Sequence, residues 1–249
     1  MARSEPRELE VLNTQVITPH MRRITLGGEA MASFPADQAS AYIKLMFPNE
    51  GDARPLMRTY TVRHHREAEI DVDFVIHDHA GTASQWAEHT QPGDRILVGG
   101  PGSKKQLNEN ADWFFLVGDM TALPAISVNL AELPANARGY AVLEVLDPAD
   151  IQTLEKPNNL ELIWFVNPQP DPSGQALLNQ VKQLEWLEGQ AEVWAACEFK
   201  SMRNLRAYFK QERQVPKHHL YISSYWKMGI SEDQHKLVKR QDAEDTLLP

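Results

Sequence analysis

Apolar and polar residues alternate along much of the first hundred positions, which is the pattern of β-strands that bury one face. The alternation is clearest in residues 41–47 and 70–76. A turn signal at residues 91–94 precedes another short strand, and residues 82–89 form the one helix predicted in this half. The six predicted strands are residues 9–17, 21–26, 41–47, 57–63, 70–76 and 95–99. Many short strands separated by turns favour a small antiparallel barrel.

After residue 112 the apolar runs become short and unbroken, as in strands that are buried on both faces. Strands are predicted at residues 113–117, 140–146, 160–166, 192–196 and 220–224, and helices at 121–133, 174–187 and 200–213. This alternation indicates a doubly wound parallel sheet. Polar residues cluster at 104–112, so we place one domain at residues 1–108 and a second at 109–249. The polar stretch 231–249 is predicted to be a solvated helix or a loose end.

Composition narrows the class of protein. The 25 basic and 34 acidic residues give a net charge of −9, which argues against nucleic acid or an anionic membrane as the main partner. The single cysteine, Cys197, cannot form an internal disulfide or ligate an iron–sulfur cluster, and we expect it in the core. The first residues are charged, and no apolar run is long enough to span a bilayer. We therefore expect a cytoplasmic protein without membrane insertion. A monomer is expected as well, although none of these features determines the oligomeric state.

The first segment with candidate functional side chains is Arg58-Thr59-Tyr60-Thr61. In a strand, Arg58 and Tyr60 point to one face, and the two threonines point to the other. An arginine can clamp a phosphate, a tyrosine ring can lie against another aromatic ring, and a hydroxyl can reach a ring nitrogen. A flavin needs such contacts, whereas an exposed edge strand with incidental polar residues is the alternative.

The second segment joins the end of a strand to the start of a helix. His77 follows the strand, and Gly81, Thr82, Ala83 and Ser84 open the helix. The backbone amides and the dipole at a helix start favour an anion such as a pyrophosphate. The alternative is an ordinary helix cap formed by Thr82 or Ser84.

Two further segments follow strands of the second half. Residues 115–126 contain Gly118 at the end of a strand and just before a helix, which is the usual place for a nucleotide in such a sheet. The last segment contains Tyr225 and Trp226, which could cover a cofactor, beside Lys227, which could hold an anion. The alternatives are a tight strand–helix turn and an aromatic pair packed on the domain surface.

Neither a metal site nor a hydrolase motif is predicted. His64 and His65 are adjacent and His77 and His79 are closely spaced, but no nearby residue completes a set of metal ligands. The sequence contains neither Gly-x-Ser-x-Gly nor His-Glu-x-x-His. We interpret these histidines as surface or strand-end residues.

Taken together, the four segments resemble the siderophore-interacting protein family, which consists of FAD-containing ferric-siderophore reductases of the ferredoxin-reductase-like superfamily. The resemblance is collinear over roughly residues 9–235. It implies an N-terminal six-stranded antiparallel FAD-binding barrel. An NAD(P)-binding-like domain with a doubly wound parallel sheet is expected to follow the barrel.

The resemblance also implies a role for each matched residue. Cofactor binding is implied for Arg58, Tyr60, Thr61, His77, Thr82, Ala83, Ser84, Tyr225 and Trp226. Pyridine-nucleotide binding is implied for Gly118, Asp119, Thr121, Ala122 and Glu198, and substrate binding for Lys44, Lys227 and Arg203. The same matched segments include Leu123, Pro124, Arg206 and Gly229. FAD carries the chemistry in this family, so neither a catalytic side chain nor a metal ligand is expected.

Three positions depart from the family pattern. Met120 stands where a small or acidic residue is usual, Cys197 stands where a glycine is common, and the run at residues 100–104 is shortened. The last two changes could alter how a nicotinamide enters. They leave room for a ferredoxin as electron donor.

The resemblance implies that NAD(P)H or reduced ferredoxin supplies electrons through FAD to the iron of a bound ferric siderophore. A flavin can pass on an electron pair one electron at a time, which suits ferric iron. Lys44 and Lys227 would supply positive charge for anionic chelates, although a solvated surface lysine is the alternative at each position. Two other functions stay open, namely a general NAD(P)H-flavin or quinone reductase and a non-catalytic siderophore-binding, iron-handling flavoprotein.

Overall fold

The structure, a computed structural model, describes residues 5–49, 51, 54–77, 81–108, 110–170 and 172–247. The first part of the chain forms a closed barrel of antiparallel strands in the order β1-β2-β5-β4-β3-β6. These strands are β1 (Arg7–Thr18), β2 (Met21–Gly27), β3 (Tyr42–Phe47), β4 (Leu56–Arg66), β5 (Glu69–Val75) and β6 (Arg95–Gly99). Helix α1 (Thr82–His89) lies between β5 and β6 in sequence. The predicted six-stranded barrel is confirmed.

The alternating pattern closes the barrel around an apolar interior. Ile43, Leu45 and Phe47 of β3 are buried inside it, as the alternation predicts. Val62 of β4 pairs with Val72 of β5, and both side chains lie in the same core because paired residues share a face. Burying each such side chain contributes about 1.5–3 kcal/mol.

The outer wall of the barrel carries buried ion pairs. Asp73 of β5 accepts two hydrogen bonds from Arg23 of β2, at 2.6 and 2.8 Å. Arg63 of β4 lies near the same carboxylate, and burial lowers the pKa of Arg63 while Asp73 opposes that shift. Asp73 therefore neutralises two partly buried arginines.

Asp71, two residues earlier on the same face of β5, belongs to a second group of charges. Its carboxylate accepts hydrogen bonds from Thr25, His64 and Arg66. Burial raises the pKa of Asp71, but these hydrogen bonds outweigh burial and hold the pKa well below its usual range. These cross-strand contacts join β2, β4 and β5 on the outer face of the barrel.

The second part of the chain forms a five-stranded parallel sheet in the order β11-β10-β7-β8-β9. Its strands are β7 (Trp113–Gly118), β8 (Arg138–Val145), β9 (Asn159–Val166), β10 (Ala191–Glu198) and β11 (Leu220–Trp226). Helices α2 (Leu123–Glu132), α3 (Gln175–Lys182), α4 (Phe199–Ala207) and α5 (Glu232–Leu247) connect or follow them. The chain winds from β7 to β9 and then returns to the other side of β7, so β7 and β10 form the topological switch point at which such folds bind ligands.

Two neighbouring strands of this sheet approach each other closely at Gly139. This residue of β8 has φ +133°, and an added Cβ would lie 1.9 Å from the carbonyl oxygen of Phe114 in β7. Only glycine fits that conformation and that distance.

Helix α3 is shorter than the sequence predicts. The structure ends it at Lys182, whereas the apolar pattern predicts a helix to residue 187. The apolar residues of the following segment fill the core without being helical: the ring of Trp186 lies 4.7 Å from the ring of Trp113. Apolar spacing alone does not distinguish a helix face from a loop that fills a core.

The helix predicted at residues 200–213 changes its winding before its end. It is α-helical over Phe199–Ala207 and continues as a π-helical turn over Tyr208–Glu212. The adjacent residues Tyr208 and Phe209 are both buried in the core, which accounts for the local departure from α-helical spacing.

The polar C-terminal stretch forms helix α5, and one face of this helix packs against β11 and α4. His235 is buried and lies 2.9 Å from the Ser224 hydroxyl, while Asp242, seven residues on, binds Arg206. Burial lowers the pKa of His235 to about 4. The helix is therefore solvated on only part of its surface.

The chain divides into two compact units. The first holds the chain up to Gln106 together with Pro124–Glu132 and Asp147–Glu155, and the second holds the remainder. The domain boundary between residues 108 and 109 stays a prediction. Among the residues that the structure describes, no helix is both long and apolar enough to cross a bilayer.

Candidate functional site

The first group of predicted site residues lies where β4 separates from β5. The two strands pair over Val62–Arg66, and the preceding residues of β4 pair with β3. Arg58 and Tyr60 lie in this preceding part, both half-buried. The Tyr60 ring is 4.3 Å from the ring of Phe74 in β5, which sets its plane. An aromatic ring and a cation therefore share one side of the strand, as the sequence predicts.

Helix α1 begins beside the same part of the barrel. The Ser84 hydroxyl donates to the carbonyl of Val75 at 2.9 Å, so it ties α1 to the end of β5. The N-cap residue is Gly81, and within the described residues no side chain caps the helix. The first amides of α1 are therefore suited to an anion, and the alternative of a cap formed by Thr82 or Ser84 is not what the structure shows.

Two aromatic residues that the sequence did not single out join these motifs. Trp86 of α1 packs 5.7 Å from Phe74, and Phe74 packs against Tyr60. Helix α1 and the tyrosine ring are thus joined by a chain of tilted ring contacts through Phe74. Spacing offers no signal for this contact, because Phe74 looks like any inward strand residue.

This arrangement fits FAD. The ring of Tyr60 can face a planar isoalloxazine, Arg58 can bind a phosphate, and the uncapped amides of α1 can bind the pyrophosphate. The remaining predicted cofactor residues of this unit are Thr61, Thr82, Ala83 and the exposed His77. His79 lies outside the described residues.

The second group lies at the carboxyl edge of the parallel sheet, at the switch point. Asp119 follows β7 and is buried. One of its oxygens accepts from the backbone N–H and the hydroxyl of Thr121 at 2.9 and 2.5 Å. The other accepts from the Glu198 N–H at 2.9 Å and from the Trp226 Nε1–H at 2.7 Å. The structure therefore brings four predicted site residues together around one carboxylate.

The Glu198 carboxylate accepts three hydrogen bonds at the same edge. Its Oε2 atom caps α4 by accepting from the backbone N–H groups of Lys200 and Ser201. Its Oε1 atom accepts from the Met228 N–H at 3.2 Å. The side chain thus joins the end of β10, the start of α4 and the segment that follows β11.

Burial is the largest influence on the pKa values of Asp119 and Cys197 at this edge. It raises the pKa of Asp119, and the hydrogen bonds from Thr121 and Trp226 oppose that shift. Burial also raises the pKa of Cys197 well above its usual value, with added contributions from Asp119 and Glu144. Cys197 is accordingly an inert core residue, as the sequence predicts.

Tyr225 lies beside the same edge and packs edge-on against Trp194 at 6.3 Å. Burial raises its pKa well above the usual value. Gly118 and Ala122 are buried next to Asp119. Direct nucleotide or cofactor contacts by these residues stay a prediction.

The three predicted substrate residues lie in both units. Lys44 of the first unit donates to the Thr59 hydroxyl and lies 5.6 Å from the ring of Tyr42. In the second unit, the Lys227 ammonium lies 4.7 Å from the ring of Phe199.

Arg203, also in the second unit, pairs with Asp242 of α5 at 3.4 Å and lines a surface cavity of about 230 Å³. The structure thus gives Arg203 a role in docking α5, and its binding of substrate stays a prediction. Within the described ranges, no three histidine, cysteine or acidic side chains cluster as metal ligands.

Comparison with known proteins follows the same division of the chain. Residues 10–53 and 49–105 match the siderophore-interacting FAD-binding domain, and residues 111–229 match the siderophore-interacting protein family. The ferric vibriobactin reductase ViuB of Vibrio cholerae is 33% identical over 92% of each chain. The NADPH-dependent ferric-chelate reductase of Escherichia coli is 29% identical, over 88% of this chain and 92% of its own.

The structural comparison agrees. The crystal structure of the siderophore-interacting protein SipS from Aeromonas hydrophila superposes with a TM-score of 0.87 at 33% identity, covering 96% of this chain and 98% of that one. The chain therefore belongs to the siderophore-interacting protein family, and its barrel is the FAD-binding domain of that family.

Proposed function

We propose that this protein is an FAD-dependent oxidoreductase that reduces ferric siderophores with electrons from NAD(P)H. One observation carries the proposal: both domains of the family match the chain, and relatives aligned over most of its length are named ferric vibriobactin reductase and NADPH-dependent ferric-chelate reductase. The geometry around Tyr60 and α1 supports it, because these residues suit a flavin dinucleotide.

The reaction balances with two iron atoms for each nucleotide. One NAD(P)H gives up a hydride, which is two electrons and a proton. The two electrons reduce two ferric ions to two ferrous ions, and the proton is released to water. Bound FAD supplies the conversion between a two-electron donor and a one-electron acceptor. Siderophores bind ferric iron far more tightly than ferrous iron, so reduction releases the metal.

The residues of the chain bind and orient the reactants. Arg58 and the amides of α1 hold the phosphates of FAD, and the Tyr60 ring holds the plane of the flavin. Lys44 and Lys227 attract anionic ferric chelates to a protein whose net charge is −9. A ferredoxin as alternative donor, the monomeric state and a cytoplasmic location stay predictions.

An anaerobic experiment tests the function. The yellow protein is reduced photochemically, a ferric siderophore is added, and flavin absorbance is followed with a chelator that traps ferrous iron. We expect rapid reoxidation of the flavin together with trapped ferrous iron. A flavin that stays reduced with both a catecholate and a hydroxamate chelate would contradict the reductase function. A protein that takes up no FAD would contradict the cofactor assignment.

Replacing Lys44 with alanine tests the role of its charge. We expect the half-saturating concentration of an anionic ferric tris-catecholate to rise about 5-fold, from roughly 1 kcal/mol of lost attraction. That of a neutral ferric tris-hydroxamate should not change. Steady-state kinetics with both chelates make the measurement.

Lys182→Ala is the matched control. Lys182 also makes a side-chain hydrogen bond, to Glu212 at 2.8 Å, and lies 5.1 Å from an aromatic ring, that of Tyr208. We expect this variant to leave both half-saturation values unchanged. Equal values for Lys44→Ala and the wild type with the anionic chelate would remove Lys44 from the substrate site.

A further inference from the structure

Asp119 joins the carboxyl ends of three neighbouring strands. It follows β7 directly, it accepts from the N–H of the last residue of β10, and it accepts from the indole of the last residue of β11. Those two residues, Glu198 and Trp226, are 79 and 107 positions further along the chain. The carboxylate thus fixes the relative position of the strand ends at the switch point.

The hydrogen-bonding capacity of this carboxylate is already used. An ionised carboxylate offers about four lone-pair sites, and Asp119 receives four donors, two on each oxygen. Two of these donors are backbone N–H groups and one is an indole N–H, none of which can act as an acceptor. A ribose hydroxyl could bind Asp119 only by displacing one of them.

The indole of Trp226 is one of the four donors to Asp119. Trp226 is half-buried at the end of an edge strand, and its Nε1–H reaches Asp119 at 2.7 Å. The next residues are held by the second carboxylate, because Glu198 accepts from the Met228 N–H. Two buried acids therefore hold the segment that follows β11, one by a side chain and the other by the backbone.

We infer that Asp119 is a positioning residue, which holds the Trp226 indole at the carboxyl edge of the sheet. A pyridine nucleotide then binds against Trp226 and the residues that follow it, and not against the Asp119 carboxylate. The inference rests on the proposed function, in which this edge receives NAD(P)H. Substitution of Asp119 then acts through Trp226. A direct nucleotide ligand would act independently of Trp226.

A double-mutant cycle separates the two roles. The dissociation constant of NADP⁺ is measured by titrating the oxidised FAD-loaded protein, for wild type, Asp119→Asn, Trp226→Phe and the double variant. We expect each single variant to weaken binding about 10-fold, the lower range for a lost hydrogen bond to a charged group. The double variant should be weaker than either single variant by no more than about 2-fold. A double variant weakened by the product, about 100-fold, would overturn the inference.

Glu144→Gln is the matched control for charge. Gly118 and Leu143 pair across β7 and β8, so the residues that follow them, Asp119 and Glu144, lie at the same end of neighbouring strands. The Glu144 carboxylate accepts from Asn167. We expect NADP⁺ binding to stay within about 2-fold of wild type. A loss equal to that of Asp119→Asn would assign the effect to charge at this edge and overturn the positioning role.

A second readout needs neither nucleotide binding nor a substitution at Asp119. The chain has 6 tryptophans, and the indole N–H resonance of Trp226 is assigned as the one that Trp226→Phe removes. We expect this proton to exchange with water slowly in the wild-type protein. Exchange as fast as that of an exposed indole would overturn the inference. If NADP⁺ does not bind the wild type, the proposed donor and the nucleotide part of the inference both fail, while the indole proton still shows whether Asp119 holds Trp226.

Discussion

Replacing Asp73 with asparagine is expected to lower the free energy of unfolding by about 3–5 kcal/mol. The substitution keeps the shape of the side chain but removes the charge that Arg23 binds through two hydrogen bonds and that lies beside Arg63. The side chains of Asp73 and Arg23 are only 4% and 17% exposed, so water replaces the lost charge poorly. The apparent melting temperature should fall by roughly 10 °C.

The control for this variant lies on the same hairpin. Glu67 is exposed in the turn between β4 and β5, so Glu67→Gln removes the same charge without affecting the network. Its effect should stay within about 0.5 kcal/mol. Thermal and urea unfolding of both variants make the comparison. Equal melting temperatures for Asp73→Asn and Glu67→Gln would show that the outer network does not stabilise the barrel.

Gly139→Ala is expected to prevent the second sheet from folding. An alanine Cβ would lie 1.9 Å from the carbonyl oxygen of Phe114, and the φ angle of +133° is itself unfavourable for an L-residue. To relieve the clash, β8 must move away from β7, the central strand of the sheet, at the point where the two strands begin to pair. A loss of more than about 4–5 kcal/mol follows.

Limited proteolysis and near-ultraviolet circular dichroism measure this effect, because the aromatic residues Trp113, Phe114 and Phe115 lie at the affected strands. Gly81→Ser is the control: Gly81 has φ −74°, and an added Cβ would meet nothing within 4 Å. Serine is also a favoured N-cap, so stability should hold or rise slightly. A Gly139→Ala protein as resistant to protease as Gly81→Ser would contradict the close approach of β8 and β7.

The barrel and the parallel sheet could be predicted because hydrophobic patterning records which faces are buried. Residues 41–47 alternate since β3 has one face inside the barrel, and residues 113–117 do not alternate since β7 is covered on both faces. The ends of α3 and α4 could not be predicted. The apolar residues beyond each end fill the core from backbone that is not α-helical, a loop after α3 and a π-helical turn after α4. The spacing of apolar residues does not reveal that change.

The candidate site could be located from the sequence but its internal bonding could not. Alternation along β4 placed Arg58 and Tyr60 together, and the strand–turn–helix pattern placed Gly118 and Asp119 at the edge of the sheet. The partners of Asp119 come from strands 79 and 107 residues away, and no local pattern reports which donor a buried carboxylate meets. For the same reason, the sequence did not predict the contact of Trp86 with Phe74.

The burial of Cys197 is expected to make the folded chain unreactive towards thiol reagents. The thiolate is the reactive form of a cysteine, and this side chain is buried near the carboxyl end of β10 with its pKa raised first by burial and then by neighbouring carboxylates. Reagent can reach it only when β10 leaves its neighbours. The chain has a single cysteine, so each molecule that a thiol reagent labels is one in which the sheet has opened. The rate of labelling therefore measures how often the sheet opens.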